Sequence, residues 1–173
     1  MKRSSLIALI VCGILLVYLG TVYYSVSSQS KPDFTQQDAQ AFLNRLAQAF
    51  DSGSTEGVLS FAAPDANVAG KTLDDTRQLL HRGMAAMKEP HVEFTNLTYQ
   101  KRDDTTVNLR FDVQVTDKSP SGYAAGQVIH AERMGFVVKR ILMPKLGGLM
   151  KVYEWKVTDV DAPNLPFDKA LGF

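Results

Sequence analysis

Residues 107–116 read VNLRFDVQVT. Val107, Leu109, Phe111, Val113 and Val115 fall on one side of an extended chain, and Asn108, Arg110, Asp112, Gln114 and Thr116 on the other. Strict alternation over ten residues predicts a half-buried antiparallel strand with an entirely apolar inner face. The neighbouring segments follow the same period. Val92 to Lys101 is a strand, joined to the first by the polar turn Arg102-Asp103-Asp104. A third strand runs from about Ala124 to Leu142 after the turn-rich stretch Lys118 to Gly122, with Gly135 expected as a bulge. Pro144 to Gly148 turns the chain into a fourth strand, Met150 to Val160.

Upstream the period changes to that of helices. Thr35 with Asp38 three residues on is a capping box, and Ala39, Phe42, Leu43, Leu46 and Phe50 recur at helical spacing before Gly53. Ser54 or Thr55 starts a short second helix through Val58, Leu59 and Phe61 that Pro64 stops, and Asp65 to Gly70 leaves room for a short extended piece. Thr72 caps a third helix, with Asp74 and Asp75 in its first turn and Leu73, Leu80, Met84 and Met87 along one face, closed by Glu89-Pro90. The expected class is α+β: three helices packed on a curved, mostly antiparallel sheet.

Toward the N-terminus, Leu6 to Tyr24 contains no charged residue. As a helix it spans roughly 30 Å, the thickness of a bilayer's hydrocarbon core. Lys2 and Arg3 precede it, no base follows until Lys31, and Tyr18, Tyr23 and Tyr24 cluster at its far end. Positive-inside bias then predicts a single-pass anchor with residues 1–5 cytoplasmic, a transmembrane helix over 6–25, a linker over 26–34, and a domain on the periplasmic or extracellular side. The rival reading is a signal peptide cleaved near Ser25-Val26-Ser27. Cys12, the only cysteine, lies inside the apolar run behind Val11, which does not suit lipidation, and leaves the domain without a disulfide. Beyond residue 30 there are 17 basic and 18 acidic side chains, so nothing suggests a nucleic-acid groove.

The order helix, helix, short strand, helix, then four long strands resembles the nuclear transport factor 2-like superfamily, a cystatin-like α+β cone. The resemblance covers residues 35–161 and leaves 162–173 as a tail. It also rests on Phe50-Asp51-Ser52-Gly53 at the end of the first helix and on the final strand Tyr153-Glu154-Trp155-Lys156-Val157. It implies a cone whose interior can hold a pocket. Enzymes of that superfamily place acids, histidines and tyrosines there, and membrane-anchored members include assembly proteins of secretion systems. Fold alone assigns none of these functions.

The chemistry-bearing residues are sparse. His130 and Glu132 share a strand face and are the candidates for a proton-transfer pair, as in an isomerase or dehydratase; the plainer reading is a solvated ion pair. Tyr99 and Tyr153 are candidates for a pocket mouth or for amphipathic core positions. His81, His91 and His130 lack metal-ligand spacing, and no cofactor motif occurs, so neither a cofactor nor a metal is expected. Asn96-Leu97-Thr98 matches a glycosylation sequon within a strand. The segment Lys139 to Lys151 mixes bases with Ile141, Leu142, Met143, Leu146, Leu149 and Met150, and the tail carries Phe167, Leu171 and Phe173. These apolar residues are the candidates for a protein partner or a second copy of the chain. The expectation is a non-catalytic, membrane-anchored binding or assembly domain, an accessory subunit of an envelope complex. A pocket enzyme and a carrier of a small apolar ligand are the alternatives.

Overall fold

The computed structural model describes residues 33–119, 128–145 and 150–163. The predicted anchor over 6–25 and the candidates Leu146, Leu149, Phe167, Leu171 and Phe173 lie outside these residues, as does the side chain of Met150. Among the described residues no helix is long and apolar enough to cross a membrane.

Among the described residues three helices and five strands follow in the order α1 (Gln36–Asp51), α2 (Thr55–Leu59), β1 (Ala62–Val68), α3 (Leu73–Ala86), β2 (Pro90–Lys101), β3 (Thr106–Asp117), β4 (Val128–Lys145) and β5 (Met150–Asp161). The sheet order is β1-β5-β4-β3-β2, antiparallel from β2 through β4, with β1 parallel to β5 at the edge. The class is α+β with a curved, mixed sheet.

Local chemistry sets the helix ends. Thr35 and Asp38 close a capping box on α1, and Thr72 and Asp75 close one on α3. The backbone N–H and hydroxyl of Thr35 hold the Asp38 carboxyl below its ordinary range. After α1, Gly53 takes a φ of +69°, a left-handed turn that a side chain disfavours, and Ser54 caps α2. Asp51, at the end of α1, accepts the N–H of Val92 at 2.9 Å and faces His91 Nδ1 at 2.9 Å. The Phe50-Asp51-Ser52-Gly53 segment thus stitches the first helix to β2.

Phe34 precedes the expected domain boundary by one residue, yet it is buried. Its ring packs on Trp155 (centroids 4.9 Å apart) and Phe42 (6.1 Å), and its carbonyl accepts the Tyr99 hydroxyl. The inner face of β3 is as predicted, with Val107, Leu109 and Phe111 fully enclosed. Phe111 meets Phe94 and Phe136 edge-on, at 5.2 and 4.7 Å.

Three details depart from the sequence reading, the first being that β4 runs on through Pro144 to Lys145, where a turn was expected. The first strand begins at Ala62 and runs through Pro64, which was expected to end a helix and lie outside the strand. Proline is tolerated because β1 is an edge strand, and its pairing with β5 is interrupted between Ala62 and Asn67. The bulge in β4 is not at Gly135. Phe111 pairs with Met134 and Val113 with Ala131, so Asp112 alone faces both Glu132 and Arg133. Arg133 carries the positive φ, +57°. Gly135 instead permits close approach of β5: a Cβ there would lie 3.3 Å from the Asp161 Cβ.

A matching bulge sits on β2, where Asn96 and Leu97 together oppose Phe111 and Asn96 has φ +54°. Asp112 ties the two. One carboxylate oxygen accepts Asn96 Nδ2 at 2.6 Å and the other accepts the Arg133 N–H at 2.9 Å. The Asn96 bond, then the Arg133 N–H, hold the Asp112 carboxyl below its ordinary range. Bulges at one level on both neighbours of β3 bend the sheet along a line. The sequon asparagine is therefore a bulge residue, engaged with Asp112.

Asp117, at the end of β3, is buried. Burial alone would raise its carboxyl. The N–H groups of Ser119 (3.0 Å), Glu89 (3.1 Å) and Lys88 (3.3 Å) outweigh that and bring it to about 2. The folded carboxyl thus ionises below its unfolded value of about 3.9. Its contribution is present in full above that unfolded value and disappears as pH falls through the folded one. Denaturant titrations should show stability dropping between roughly pH 4 and pH 2. Asp117→Asn should flatten that acid limb; an unchanged limb would assign it to other carboxylates.

Beyond Ile141 and before Tyr153, the strand ends Leu142–Lys145 and Met150–Val152 belong to a second compact unit. Within it Leu142 is 44% exposed.

Candidate functional site

Phe34–Ile141 and the chain from Tyr153 form the main unit, and it contains a cavity of about 280 Å³. The sheet supplies one wall: Val92 and Phe94 from β2, Phe111, Val113 and Val115 from β3, Ile129, Met134 and Phe136 from β4, Val157 and Val160 from β5. The helices supply the other, chiefly Leu46 and Phe50 of α1, Val58 and Leu59 of α2, and the face of α3. That α3 face runs Leu73, Thr76, Leu80, Gly83, Met84, Met87. Two of its positions, Thr76 and Gly83, are small and lie one heptad apart. Flanking leucines and methionines hold the helix off the sheet while these two do not fill the gap. The space is a direct result of that side-chain pattern.

The lining is nearly devoid of polar groups. Thr76 donates its hydroxyl to the Thr72 carbonyl at 2.8 Å. Among the described residues that line the cavity, Lys71 is the one charged residue and none is Asp, Glu, His or Tyr. With so few hydrogen-bonding partners to offer, such a space favours apolar atoms over water.

The candidate pair lies elsewhere. The bulge at Glu132–Arg133 shifts the facing of β4, so that Ala131 and Met134 point into the core while His130 and Glu132 are exposed. His130 Nε2 is 3.6 Å from Glu132 Oε1, in solvent and away from the cavity. Tyr99 is committed to Phe34, and Tyr153 lies under the Arg140 guanidinium, 4.3 Å from its ring centre. Neither lines the cavity. Of the apolar partner candidates, Ile141 and Met143 are half-buried and Leu142 exposed. A shallow polar hollow between α2 and α3 holds Glu56, Arg77 and His81, but Arg77 is occupied by Glu56 (2.9 Å) and Asp74. Among the described residues no cluster of His, Cys, Asp or Glu could hold a metal ion.

No protein-family model and no curated protein matches the sequence. Solved structures do. The chain is similar to a Xanthomonas campestris protein assigned to the calcium/calmodulin dependent protein kinase II association domains, with TM-score 0.57 and 15% identity, over 77% of this chain and 91% of that one. It is similar to an NTF2-like protein of unknown function in nutrient uptake from Rhodospirillum rubrum, with TM-score 0.54 and 13% identity, over 71% and 94%. It is also similar to a Novosphingobium aromaticivorans protein assigned as a scytalone dehydratase, with TM-score 0.54 and 14% identity, over 70% and 78%. At such identities the likeness shows the fold, that of the nuclear transport factor 2-like cone, and nothing further.

Proposed function

We propose that this chain is a non-catalytic binding domain whose cavity takes a small apolar molecule. The observation that carries the reading is the lining: 25 described residues line the space, and apart from Lys71 and Thr76 all of these are aliphatic, aromatic, methionine or glycine. General acid–base catalysis needs a titratable group within reach of the reacting atom. Among the described residues no acid or histidine lines the cavity, which argues against reading a dehydratase's activity onto it from fold alone. The volume is near the lower end for small-molecule sites, about 300–1,000 Å³. A water occupies ~30 Å³ in the liquid, so the space corresponds to roughly nine waters or a ligand of similar atom count.

In this reading the segment Leu6–Tyr24 tethers the site beside a bilayer, with the domain on the periplasmic or extracellular side. Release of the full chain from membranes by salt alone would end the tether. Assembly with a protein partner comes second, supported by the exposure of Leu142 at the described edge of the apolar hairpin segment.

Met84, Met87 and Met134 line the cavity, while Met143 does not. Methyl-labelled methionine NMR of the full chain in nanodiscs therefore reports occupancy directly. Titration with decanol should shift the three lining methyls and leave Met143 in place. Thr76→Phe puts a ring into the space and should weaken binding at least about tenfold, the loss of a few buried methylenes at ~0.8 kcal/mol each. Unmoved lining methyls at saturating decanol would reject the binding site.

A further inference from the structure

We infer that the ligand is a single-chain amphiphile with an anionic head, its tail in the cavity and its head at Lys71. The inference rests on the binding reading above and adds the head group. Three observations support it.

First, among the described residues that line this largely apolar space Lys71 is the only charged one, and it is half-buried. Among the described residues no salt bridge involves it. The nearby acids of the first turn of α3 have stronger partners, and the Lys71 charge is the weakest of the influences on Asp75. Asp75 accepts the Thr72 hydroxyl and N–H, and Asp74 pairs with Arg77. The Lys71 ammonium is thus the group to which an entering anion can bond.

Second, its backbone is held. Val68 and Lys71 exchange both N–H···O bonds, each 3.0 Å, across a two-residue turn. Ala69 and Gly70 have φ of +50° and +81°, the paired positive values of a tight hairpin turn. Asn67 Oδ1 braces the turn by accepting the Gly70 N–H at 2.9 Å. The lysine therefore projects from a fixed point, which lowers the ordering cost of binding a head group.

Third, among the described residues the lining at the C-terminal end of α3 and at the paired ends of β3 and β4 offers no competing anchor. Val115, Ile129 and Met87 are all apolar, so a bound chain has one polar end to satisfy and one place to satisfy it. A charge-assisted hydrogen bond from an ammonium to a carboxylate is about twice as strong as a neutral one. The plainer role for Lys71 is to lay its aliphatic stem along the cavity wall and keep its amine in water.

Three ten-carbon probes separate these roles: decanoate, decanol and decyltrimethylammonium, titrated against the full chain in nanodiscs with the lining methionine methyls as readout. Decanoate should bind about tenfold or more tightly than decanol, and the cation weakest. Lys71→Met should bring decanoate to the affinity of decanol and leave decanol within about twofold. Equal affinity of wild type for decanoate and decanol would overturn the head-group assignment while the apolar site stands. Failure of all three probes would remove the site itself. A Lys71→Met variant that loses decanol as much as decanoate would make the side chain a wall and overturn the assignment. If phosphatidylglycerol vesicles hold the chain through Lys71 without moving the lining methyls, the lysine reads a membrane surface, which also overturns it.

Discussion

Phe111→Ala is expected to lower the stability of the domain by about 3 kcal/mol, toward the lower end of the range for a buried phenylalanine. The ring is 2% exposed and closes an edge-to-face pair with Phe94 on one side and Phe136 on the other. Each such pair contributes roughly 0.5–1.5 kcal/mol beyond its buried area. The lower end applies because the ring also borders the cavity, so part of its surface has no packing partner to lose. Domains of this size have about 5–15 kcal/mol in all, so a large share of the folded population would be at risk. Chemical denaturation followed by circular dichroism measures the loss directly. Decanol should restore part of it, since a ligand that binds only the folded state stabilises by mass action. A loss below about 1 kcal/mol would show that the aromatic row is not where the core is cemented.

The second large effect tests the register of β4, on which the exclusion of His130 and Glu132 from the cavity depends. Ala131 is 2% exposed opposite Val113, and His130 faces solvent. Ala131→Lys should cost about 3 kcal/mol or more, since it overpacks the core and strands an ammonium there. His130→Lys should stay within about 0.5 kcal/mol, with Glu132 beside it as a partner. Adjacent positions would thus differ by about 2.5 kcal/mol or more on receiving the same residue. The reverse order would remove the bulge from β4 and put the His130–Glu132 pair back on the face of Met134 and Phe136.

That bulge marks the boundary of what the sequence reveals. The capping boxes at Thr35 and Thr72, the inner face of β3 and the strand order after α3 are local patterns, and the chain folds as they suggest. The bulge positions are not local. Arg133 and Asn96 adopt positive φ because Asp112, on the strand between them, offers each a carboxylate oxygen. Nothing in the one-dimensional alternation of β4 distinguishes Arg133 from Gly135, and glycine is the residue that usually suits the conformation. Pro64 is a similar case: proline is excluded from a central strand but not from an edge, and the edge exists only once β1 has met β5.

The cavity was half legible. Leu73, Leu80, Met84 and Met87 read as a core face, and they are one. Whether a face of apolar side chains closes on its partner or stands off it depends on the volume between them. The small residues Thr76 and Gly83 within that face were the available signal. Lys71, outside any periodic element, carried none.

The pairing of β1 with β5 has a consequence in time. Ala62 and Val157 are partners, and the Val157 N–H bonds the Phe61 carbonyl at 2.8 Å, yet nearly the whole domain lies between them in the chain. Contacts so distant in sequence add closure entropy to the folding barrier and slow the reaction. A chain made from its N-terminus must carry the apolar faces of α1 and α3 without their full sheet until β5, the last of the described strands, arrives. The domain thus matures late and as a unit, and a ribosome or translocation channel releasing it strand by strand would be handling an unclosed cone almost to the end.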